Sequence, residues 1–248
     1  MAGAGFKEVV LVGINLPCYG KDTGGRLVDA VEAVCAVPGI QRVRLSSLEP
    51  EMLTLEEVER MAACPQFCPS FHLSLQSGCD KTLKQMNRHY VGEEYMGIVK
   101  MLRQVFPNCA ITTDVIVGFP GESEEDFAQS VAFCHQVSFA KVHVFPYSNR
   151  KGTRASRMGG QLTRAEIERR SKVLVAEQEK DHQAFLKQQL GTVQPVLFER
   201  PIDTGVYAGY TPNYTHVVLS SGKDLTGEIK EVRITGISGE SCIGELVE

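Results

Sequence analysis

Apolar runs of strand length alternate with helical patterns over the first 148 residues, and this alternation constrains the fold more than any other feature. The strand-like runs cover residues 8–13, 42–48, 71–76, 110–119 and 140–148. The helical patterns between them cover residues 26–37, 54–63, 93–106 and 123–137. Thr54 with Glu57, and Ser123 with Asp126, have the spacing of helix caps. We therefore predict an α/β fold in which helices cover a parallel sheet.

The pattern changes at Asn149. A Gly- and Arg-rich stretch comes first, and residues 163–190 are then typical of one long helix that ends at Gly191. The rest of the chain has short strand-like runs separated by Gly, Pro and Asn turns, which favours a small β-barrel. We divide the chain into residues 1–149, 150–191 and 192–248.

Charge is distributed unevenly along a chain whose formal net charge is −4. Residues 150–190 carry 10 basic and 5 acidic side chains, an excess of +5, whereas the segments on either side are acidic. A basic segment of this kind is suited to lie along a phosphate backbone. A solvated helix face that is rich in arginine explains the same pattern, and the sequence leaves both interpretations open.

Targeting signals and disulfide patterns are not indicated. No apolar stretch approaches the ~20 residues that span a bilayer, and the N-terminus lacks the basic start and apolar core of a secretory signal. Eight scattered cysteines are typical of thiols in a reducing compartment. We expect a cytoplasmic protein that has no membrane partner.

Polar residues follow the strand-like runs. In parallel α/β folds the carboxyl ends of the strands hold the ligand. The polar residues at these ends are Asn15, Ser47, Glu49, Ser74, Gln76, Asp114, His143, Tyr147 and Ser148. Such side chains are suited to hold a polar cofactor through hydrogen bonds. Ser74 and Gln76 alternate with leucines, so a polar barrel interior also explains them, and Glu49 before Pro50 is also consistent with a helix entry.

The spacing of the cysteines and histidines along the sequence gives little indication of a metal site. Cys64 and Cys68 have the separation of a cluster or zinc motif, but the next cysteine is Cys79, so packing is the favoured interpretation. Three histidines show no ligand spacing among themselves: His72, His89 and His143. The residues alone predict no metal site.

Five segments together resemble, in this order, the radical S-adenosylmethionine methylthiotransferases of tRNA: VVLVGINLPCYGKD, RVRLSSLEPE, FHLSLQSGCDKTLKQMNRHY, AITTDVIVGFPGESEEDF and KVHVFPYSNRKGTRA. HLSLQSG, MNRHY and HVFPYS favour the branch that adds a methylthio group to C2 of N6-threonylcarbamoyladenosine, next to the anticodon, over the isopentenyladenosine branch. The tail, with GYTPNYTHVVL, resembles the RNA-binding TRAM domain that ends these enzymes.

The resemblance implies strands two to six of a six-stranded (β/α)6 open barrel, followed by a small TRAM-like β-barrel. It implies S-adenosyl-L-methionine as cofactor and tRNA as partner. It also implies an electron donor and two [4Fe–4S] clusters in the full-length parent. The implied cofactor-binding residues are Asn15, Ser47, Glu49, Ser74, Gln76, Arg88, Val117 and Gly118. The implied RNA-binding residues are Arg150, Lys151, Arg154, Arg157, Tyr210 and Tyr214, with Arg169 and Arg170 beside them. In this interpretation Val117 contacts the adenine, and Gly118 lets the backbone approach it without a Cβ.

The chain departs from the family at its cluster motif. The family holds the catalytic cluster with Cys-x3-Cys-x2-Cys, and here Phe71 stands where the third cysteine after Cys64 and Cys68 is required. We expect a truncated chain that makes no radical alone, whose sheet has an open, aggregation-prone edge, and no catalytic residue is assigned. A non-catalytic tRNA-binding remnant and an iron-free α/β-barrel lyase are the alternatives. The lyase predicts a lysine or metal ligands at a strand end, and Lys141, at a strand start, counts against it.

Overall fold

The computed structural model describes residues 1–50 and 53–247. The first sheet consists of β1 (Glu8–Leu11), β2 (Arg42–Leu45), β3 (Ser70–His72), β4 (Ala110–Val117) and β5 (Lys141–Pro146). The helices are α1 (Leu27–Cys35), α2 (Leu55–Ala62), α3 (Asp80–Gln85), α4 (Gly92–Val105), α5 (Glu124–Val137) and α6 (Arg164–Gln189). The second sheet consists of β6 (Val193–Asp203), β7 (Val206–Tyr210), β8 (His216–Ser220), β9 (Ile229–Ser238) and β10 (Ser241–Leu246).

Helices α2 and α5 begin at the caps that the sequence predicts. The Thr54 hydroxyl accepts a hydrogen bond from the Glu57 amide at the start of α2, and Ser123 does the same with the Asp126 amide at the start of α5. Gly191, just beyond α6, has a φ of 78°, which suits a glycine that ends a helix.

The strands of the first sheet are parallel. β1 pairs with β2, and β4 pairs with both β3 and β5. Bridges at Val43–Phe67 and Leu48–Leu73 join the two groups, so the strands follow chain order across the sheet. β3 is shorter than predicted, because regular pairing stops at His72 and Gln76 adopts a φ of 69°. The prediction of an α/β parallel sheet is confirmed.

The two faces of this sheet differ in polarity. Phe71, Leu73, Ile111 and Val115 point to the helix-covered face and are fully or almost fully buried in the main core. Their neighbours along the strands point the other way, to what we call the polar face, which carries Arg44, His72, Thr112, Asp114 and His143.

The tail forms a closed barrel with strand order β10-β8-β7-β6-β9, as the sequence predicts. It has a core of its own that includes Val196, Phe198 and Val217. Helix α6 contributes Leu174 to the main core and Leu186 to the barrel core, so this helix joins the two.

The barrel docks at the amino-terminal side of the sheet, which we call the base. Arg42 of β2 donates to the Tyr210 carbonyl at 2.7 Å and to the Pro195 carbonyl, and Arg44 donates to the Pro212 carbonyl at 2.8 Å. The opposite side, where the strands end, is the carboxyl rim. Helix α6 runs from the rim, where Ile167 lies against Gly118, to the base, where His182 bonds the Ala140 carbonyl at 2.6 Å.

The free edge of β1 exposes apolar side chains. Val10, Val12 and Ile14 are all largely exposed there, and β1 pairs with β2 alone among the described strands. Within the part of the chain that the structure describes, no helix combines the length and the apolar character needed to cross a bilayer.

Candidate functional site

A cleft of about 280 Å³ opens at the carboxyl rim, and we call it the rim cleft. Its lining includes Gln76, Gln85, Arg88, Ile116, Phe119 and Arg154. These residues come from the end of β4, the loops after β3 and β4, the end of α3 with the loop that follows it, and the segment after β5. The rim cleft therefore brings together two residues predicted to bind the cofactor, Gln76 and Arg88, and one predicted to bind RNA, Arg154.

Backbone geometry fixes the loop that carries Gln76. The Gln76 amide donates to the Asp114 carbonyl at 2.8 Å, and the Ile116 amide donates to the Gln76 carbonyl at 2.9 Å. Ser74 is held by the Leu48 carbonyl and by the Tyr90 hydroxyl, which donates to the Ser74 carbonyl at 2.7 Å. Leu73 and Leu75 are fully buried on the helix side, which places Ser74 on the polar face.

An ion pair orients Arg88 in the cleft. Its guanidinium lies 3.0 Å from a Glu49 carboxylate oxygen, and both side chains are about one-third exposed or less, at 28% and 35%. Glu49 therefore contributes to the rim by holding Arg88. Asn15 and Ser47, which are also predicted to bind the cofactor, are exposed residues outside the lining of the rim cleft.

Val117 and Gly118 lie at the rim, but they contact other parts of the protein where the sequence analysis predicts contact with the cofactor. The Val117 side chain is 1% exposed in the main core, and the Val117 carbonyl accepts a hydrogen bond from the Tyr147 amide at 2.9 Å. Gly118 has a φ of 77°, and a Cβ there lies 2.5 Å from Ile167 Cγ1. Packing against α6 thus explains the glycine without any ligand.

Gln85 supplies an unsatisfied polar atom at the same place. Its side-chain oxygen is buried and has no hydrogen-bond partner among the described residues. A buried acceptor of this kind is rare in folded proteins unless a ligand or water satisfies it. The rim cleft therefore fits a ligand that donates hydrogen bonds, such as the amino groups of a nucleoside or an amino acid.

The arginine-rich segment divides into free and paired cations. Four residues are exposed and have no carboxylate within 4.0 Å in the described parts of the chain: Arg150, Lys151, Arg154 and Arg157. Arg169 pairs with Glu124 and Glu166. Arg170 is 4% exposed and pairs with Glu122 at 2.8 Å. The expectation that Arg169 and Arg170 also contact phosphate is wrong for Arg170, because it is buried and neutralised.

Tyr210 and Tyr214 lie at the base, far from those cations along α6. Their rings stack on each other with centroids 4.4 Å apart. The Arg44 guanidinium lies 4.5 Å from the Tyr214 centroid, and His216 contacts Tyr210. Tyr214 is 51% exposed, so its role in base stacking stays a prediction.

A second cavity of about 680 Å³ separates the polar face from the barrel, and we call it the base cavity. His72 and His143 line it, and Asp114 lies beside them. Burial lowers the pKa of His143 below 6.5, as do the neighbouring His72 and Lys141, while Asp114 opposes the shift. Spacing in the sequence gives no signal for this trio because its members come from three different strands; only the strand register brings them together.

The cysteines do not form a cluster site. All eight are free thiols, and burial raises the pKa of Cys68 to about 11 and that of Cys35 to about 12. An iron–sulfur cluster is held by several cysteine sulfurs that converge on its iron ions. Among residues 1–50 and 53–247, the one group with converging ligand atoms is His72, Asp114 and His143. The described residues therefore do not fit an iron–sulfur cluster.

Comparison with known proteins gives two kinds of relatives. The Radical SAM superfamily model matches residues 2–134. The threonylcarbamoyladenosine tRNA methylthiotransferase MtaB of Thermotoga maritima is 38% identical over 100% of this chain and 57% of its own length. The tRNA-2-methylthio-N(6)-dimethylallyladenosine synthase of Pelotomaculum thermopropionicum is 35% identical over 95% of this chain and 54% of its own length. The chain thus spans a little over half the length of these relatives, and they confirm the resemblance seen in the motifs.

A solved structure supports the fold. Coproporphyrinogen III oxidase (HemN) from Escherichia coli, a radical SAM enzyme, matches with a TM-score of 0.56 at 12% identity. The match covers 83% of this chain and 54% of that one. It confirms the α/β architecture that the strand pattern predicts.

Proposed function

Because the chain belongs to the radical SAM superfamily, as the match over residues 2–134 establishes, we propose that it contributes a cofactor cleft and an RNA-contacting segment to a tRNA methylthiotransferase. The substrate position is C2 of N6-threonylcarbamoyladenosine, next to the anticodon. The observation that carries this proposal is the 38% identity with MtaB of Thermotoga maritima along the whole chain. The dimethylallyladenosine synthase of Pelotomaculum thermopropionicum is nearly as similar, at 35% identity. The choice of substrate base therefore also rests on the motifs HLSLQSG, MNRHY and HVFPYS.

S-adenosyl-L-methionine is the proposed ligand of the rim cleft. Bound there, it supplies the radical and methyl-transfer chemistry of this superfamily. The cleft, at about 280 Å³, is slightly smaller than the ~300–1,000 Å³ that is usual for small-molecule sites, so we assign it one half of the cofactor. The unsatisfied Gln85 oxygen accepts from an amino group, and Arg88, held by Glu49, donates to a carboxylate or ribose oxygen. The cluster ligands and the electron donor belong to polypeptide outside the described residues.

The four free cations are the proposed RNA contacts. Arg154 lines the rim cleft, and Arg150, Lys151 and Arg157 lie within four residues of it in the same segment. Phosphates that bind there lie beside the cofactor, where a modified nucleoside must be presented. Cytoplasmic tRNA is the proposed partner.

Binding of tRNA tests this proposal. We expect Arg154→Ala with Arg157→Ala to weaken tRNA binding and to reduce the slope of log affinity against log salt by about 1.4–1.8, since each lost phosphate contact removes about 0.7–0.9. Arg164→Ala is the matched control, because Arg164 belongs to the same basic stretch but already pairs with Glu168 at 2.8 Å. Equal slopes for the double variant and the wild type contradict the proposed surface.

The substrate base is tested by competition. We expect an anticodon stem-loop that carries N6-threonylcarbamoyladenosine to compete better than one that carries N6-isopentenyladenosine. The reverse order reassigns the chain to the other branch.

A non-catalytic tRNA-binding remnant is the second candidate. The observation that favours it is the lack of converging cysteine thiolates among the described residues. Equilibrium dialysis with S-adenosyl-L-methionine separates the two candidates. Binding that Arg88→Ala weakens supports the cofactor cleft, whereas tRNA binding without cofactor binding supports the remnant.

A further inference from the structure

Three potential metal ligands converge on the polar face of the sheet, and two of them, His72 and His143, line the base cavity. In the β3–β4 register His72 lies opposite Thr112, and in the β4–β5 register Asp114 lies opposite His143. Residues two apart on a strand share a face, so Thr112 and Asp114 point to the same side as both histidines. The ligands therefore stand on three neighbouring strands of the sheet.

The distances suit a metal ion. One ligand atom from each of His72, Asp114 and His143 lies within 4.8 Å of the other two. His72 Nε2 is 3.4 Å from Asp114 Oδ2. Two atoms that each lie about 2.05 Å from a tetrahedral zinc ion are about 3.4 Å apart, so this separation leaves room for the ion between them.

Thr112 orients one of the ligands. Its hydroxyl lies 3.0 Å from His72 Nδ1. With the proton on Nδ1, donated to Thr112, the lone pair of Nε2 points to the side where Asp114 lies. Metal-binding histidines usually donate their second ring nitrogen to such a partner, which fixes the tautomer and the ring.

Two basic side chains of the base cavity have carboxylate partners other than Asp114. Lys141 pairs with Glu240 at 3.0 Å, and Arg44 pairs with Glu8 at 3.0 Å. The Asp114 carboxylate thus keeps its charge available to the two imidazoles and to a cation between them.

We propose that His72, Asp114 and His143 bind one divalent transition-metal ion of the zinc and ferrous class. Two imidazole nitrogens and one carboxylate oxygen suit such ions, and they are not the thiolates that hold an iron–sulfur cluster. Three protein ligands leave at least one coordination position open. His72 and His143 line the base cavity of about 680 Å³, so that position is accessible to water or to a polar ligand in the cavity. The proposal does not rest on the radical SAM assignment.

Zinc binding by the 248-residue chain, measured by equilibrium dialysis after treatment with a chelator, tests this site. We expect one zinc ion per chain. His72→Ala, His143→Ala and Asp114→Asn should each weaken binding at least tenfold. His89→Ala is the matched control, because His89 is exposed and outside the trio, and it should bind like the wild type.

Two variants keep the test decisive if a histidine variant misfolds. Asp114→Asn is nearly isosteric, and Thr112→Val removes only the hydroxyl that orients His72; by analogy with other outer-shell partners it should cost about 10–100-fold in affinity. Circular dichroism without metal verifies the fold of each variant. A wild type that binds no zinc, or Asp114→Asn that binds with unchanged affinity, overturns the proposal, the latter because the zinc is then held elsewhere on the surface.

Discussion

The two ends of the parallel sheet use arginine in opposite ways. At the base, Arg42 and Arg44 are 4% and 5% exposed, and their donors are directed to barrel carbonyls and to Glu8. At the rim, Arg154 and Arg157 are exposed and lack a carboxylate partner among the described residues. The same side chain therefore clamps two structural units together at one end and remains available to a ligand at the other.

Burial and pairing account for this difference. A buried guanidinium must satisfy its five donors within the protein, which makes it structural. An exposed and unpaired guanidinium is solvated, and it can exchange water for phosphate at little cost. Counting basic residues along the sequence cannot separate these roles, whereas partners in the structure can.

Arg42 and Arg44 together form what we call the clamp, and its loss should have the largest effect on stability. Arg42→Met keeps much of the side-chain volume but leaves the Tyr210 and Pro195 carbonyls without their donor, whereas Glu8 keeps the hydrogen bond from Arg44. A buried acceptor left without its donor costs about 1–3 kcal/mol, so we expect the loss of both donors to lower the free energy of unfolding in urea by about 2–6 kcal/mol. Hydrogen exchange should also accelerate at the interface between β2 and the barrel.

Arg60→Met is the control for that experiment. Arg60 pairs with Asp29 and Glu32 on the outer surface of α1 and α2, where solvent screens the charges. We expect a far smaller change in the urea midpoint. Equal losses for the two variants would break the distinction between the clamp at the base and ordinary ion pairs.

A substitution at Gly118 tests how tightly α6 packs against the rim. Gly118→Ala places a Cβ 2.5 Å from Ile167 Cγ1 and forces a non-glycine residue to a φ of 77°. Overpacking costs about 1–3 kcal/mol and the left-handed backbone about 1–2 kcal/mol, so we expect a loss of about 2 kcal/mol or more. Urea unfolding measures the loss, and adding Ile167→Ala should restore part of it.

Gly97→Ala is the matched glycine control. Gly97 lies in α4 with nothing within 4 Å of the added Cβ, so alanine should stabilise the helix by about 0.5–1 kcal/mol. A Gly118→Ala variant as stable as the wild type would mean that the rim tolerates a Cβ at this position. Packing against Ile167 of α6 would then not be the reason for the glycine.

Much of the fold could be predicted from local patterns. Alternating apolar residues placed β4, and the caps at Thr54 and Ser123 placed the starts of α2 and α5. The pattern overestimated the length of β3, because the left-handed backbone at Gln76 is not visible in a run of apolar residues.

The sites were less predictable because they depend on pairing between distant segments. The alternation of Ser74 with two buried leucines predicts the polar face for it, and its role in binding the cofactor stays a prediction. The core position of Val117 was missed, because its neighbour Gly118 suggested a ligand where α6 supplies Ile167. His72 and His143 are 71 residues apart in the chain, and only the register of three strands unites them with Asp114.

The smallest effect that we expect concerns α6, the helix that joins the two ends. His135 of α5 lies 2.8 Å from Asp181 and 3.1 Å from Glu177, both on α6. Burial alone lowers the pKa of His135, but the hydrogen bonds and charges of the two carboxylates outweigh it, so its pKa is raised above 6.5. A histidine with a raised pKa in the folded state stabilises the protein fully below its unfolded pKa, and this contribution disappears as pH rises through the folded pKa. His135→Gln should therefore lower the melting temperature more at pH 6 than at pH 9, by the equivalent of no more than about 1 kcal/mol because the pair is partly exposed and screened. A His135→Gln effect that is equal at both pH values would mean that neutral packing, not charge, joins α5 to α6 between the rim and the base.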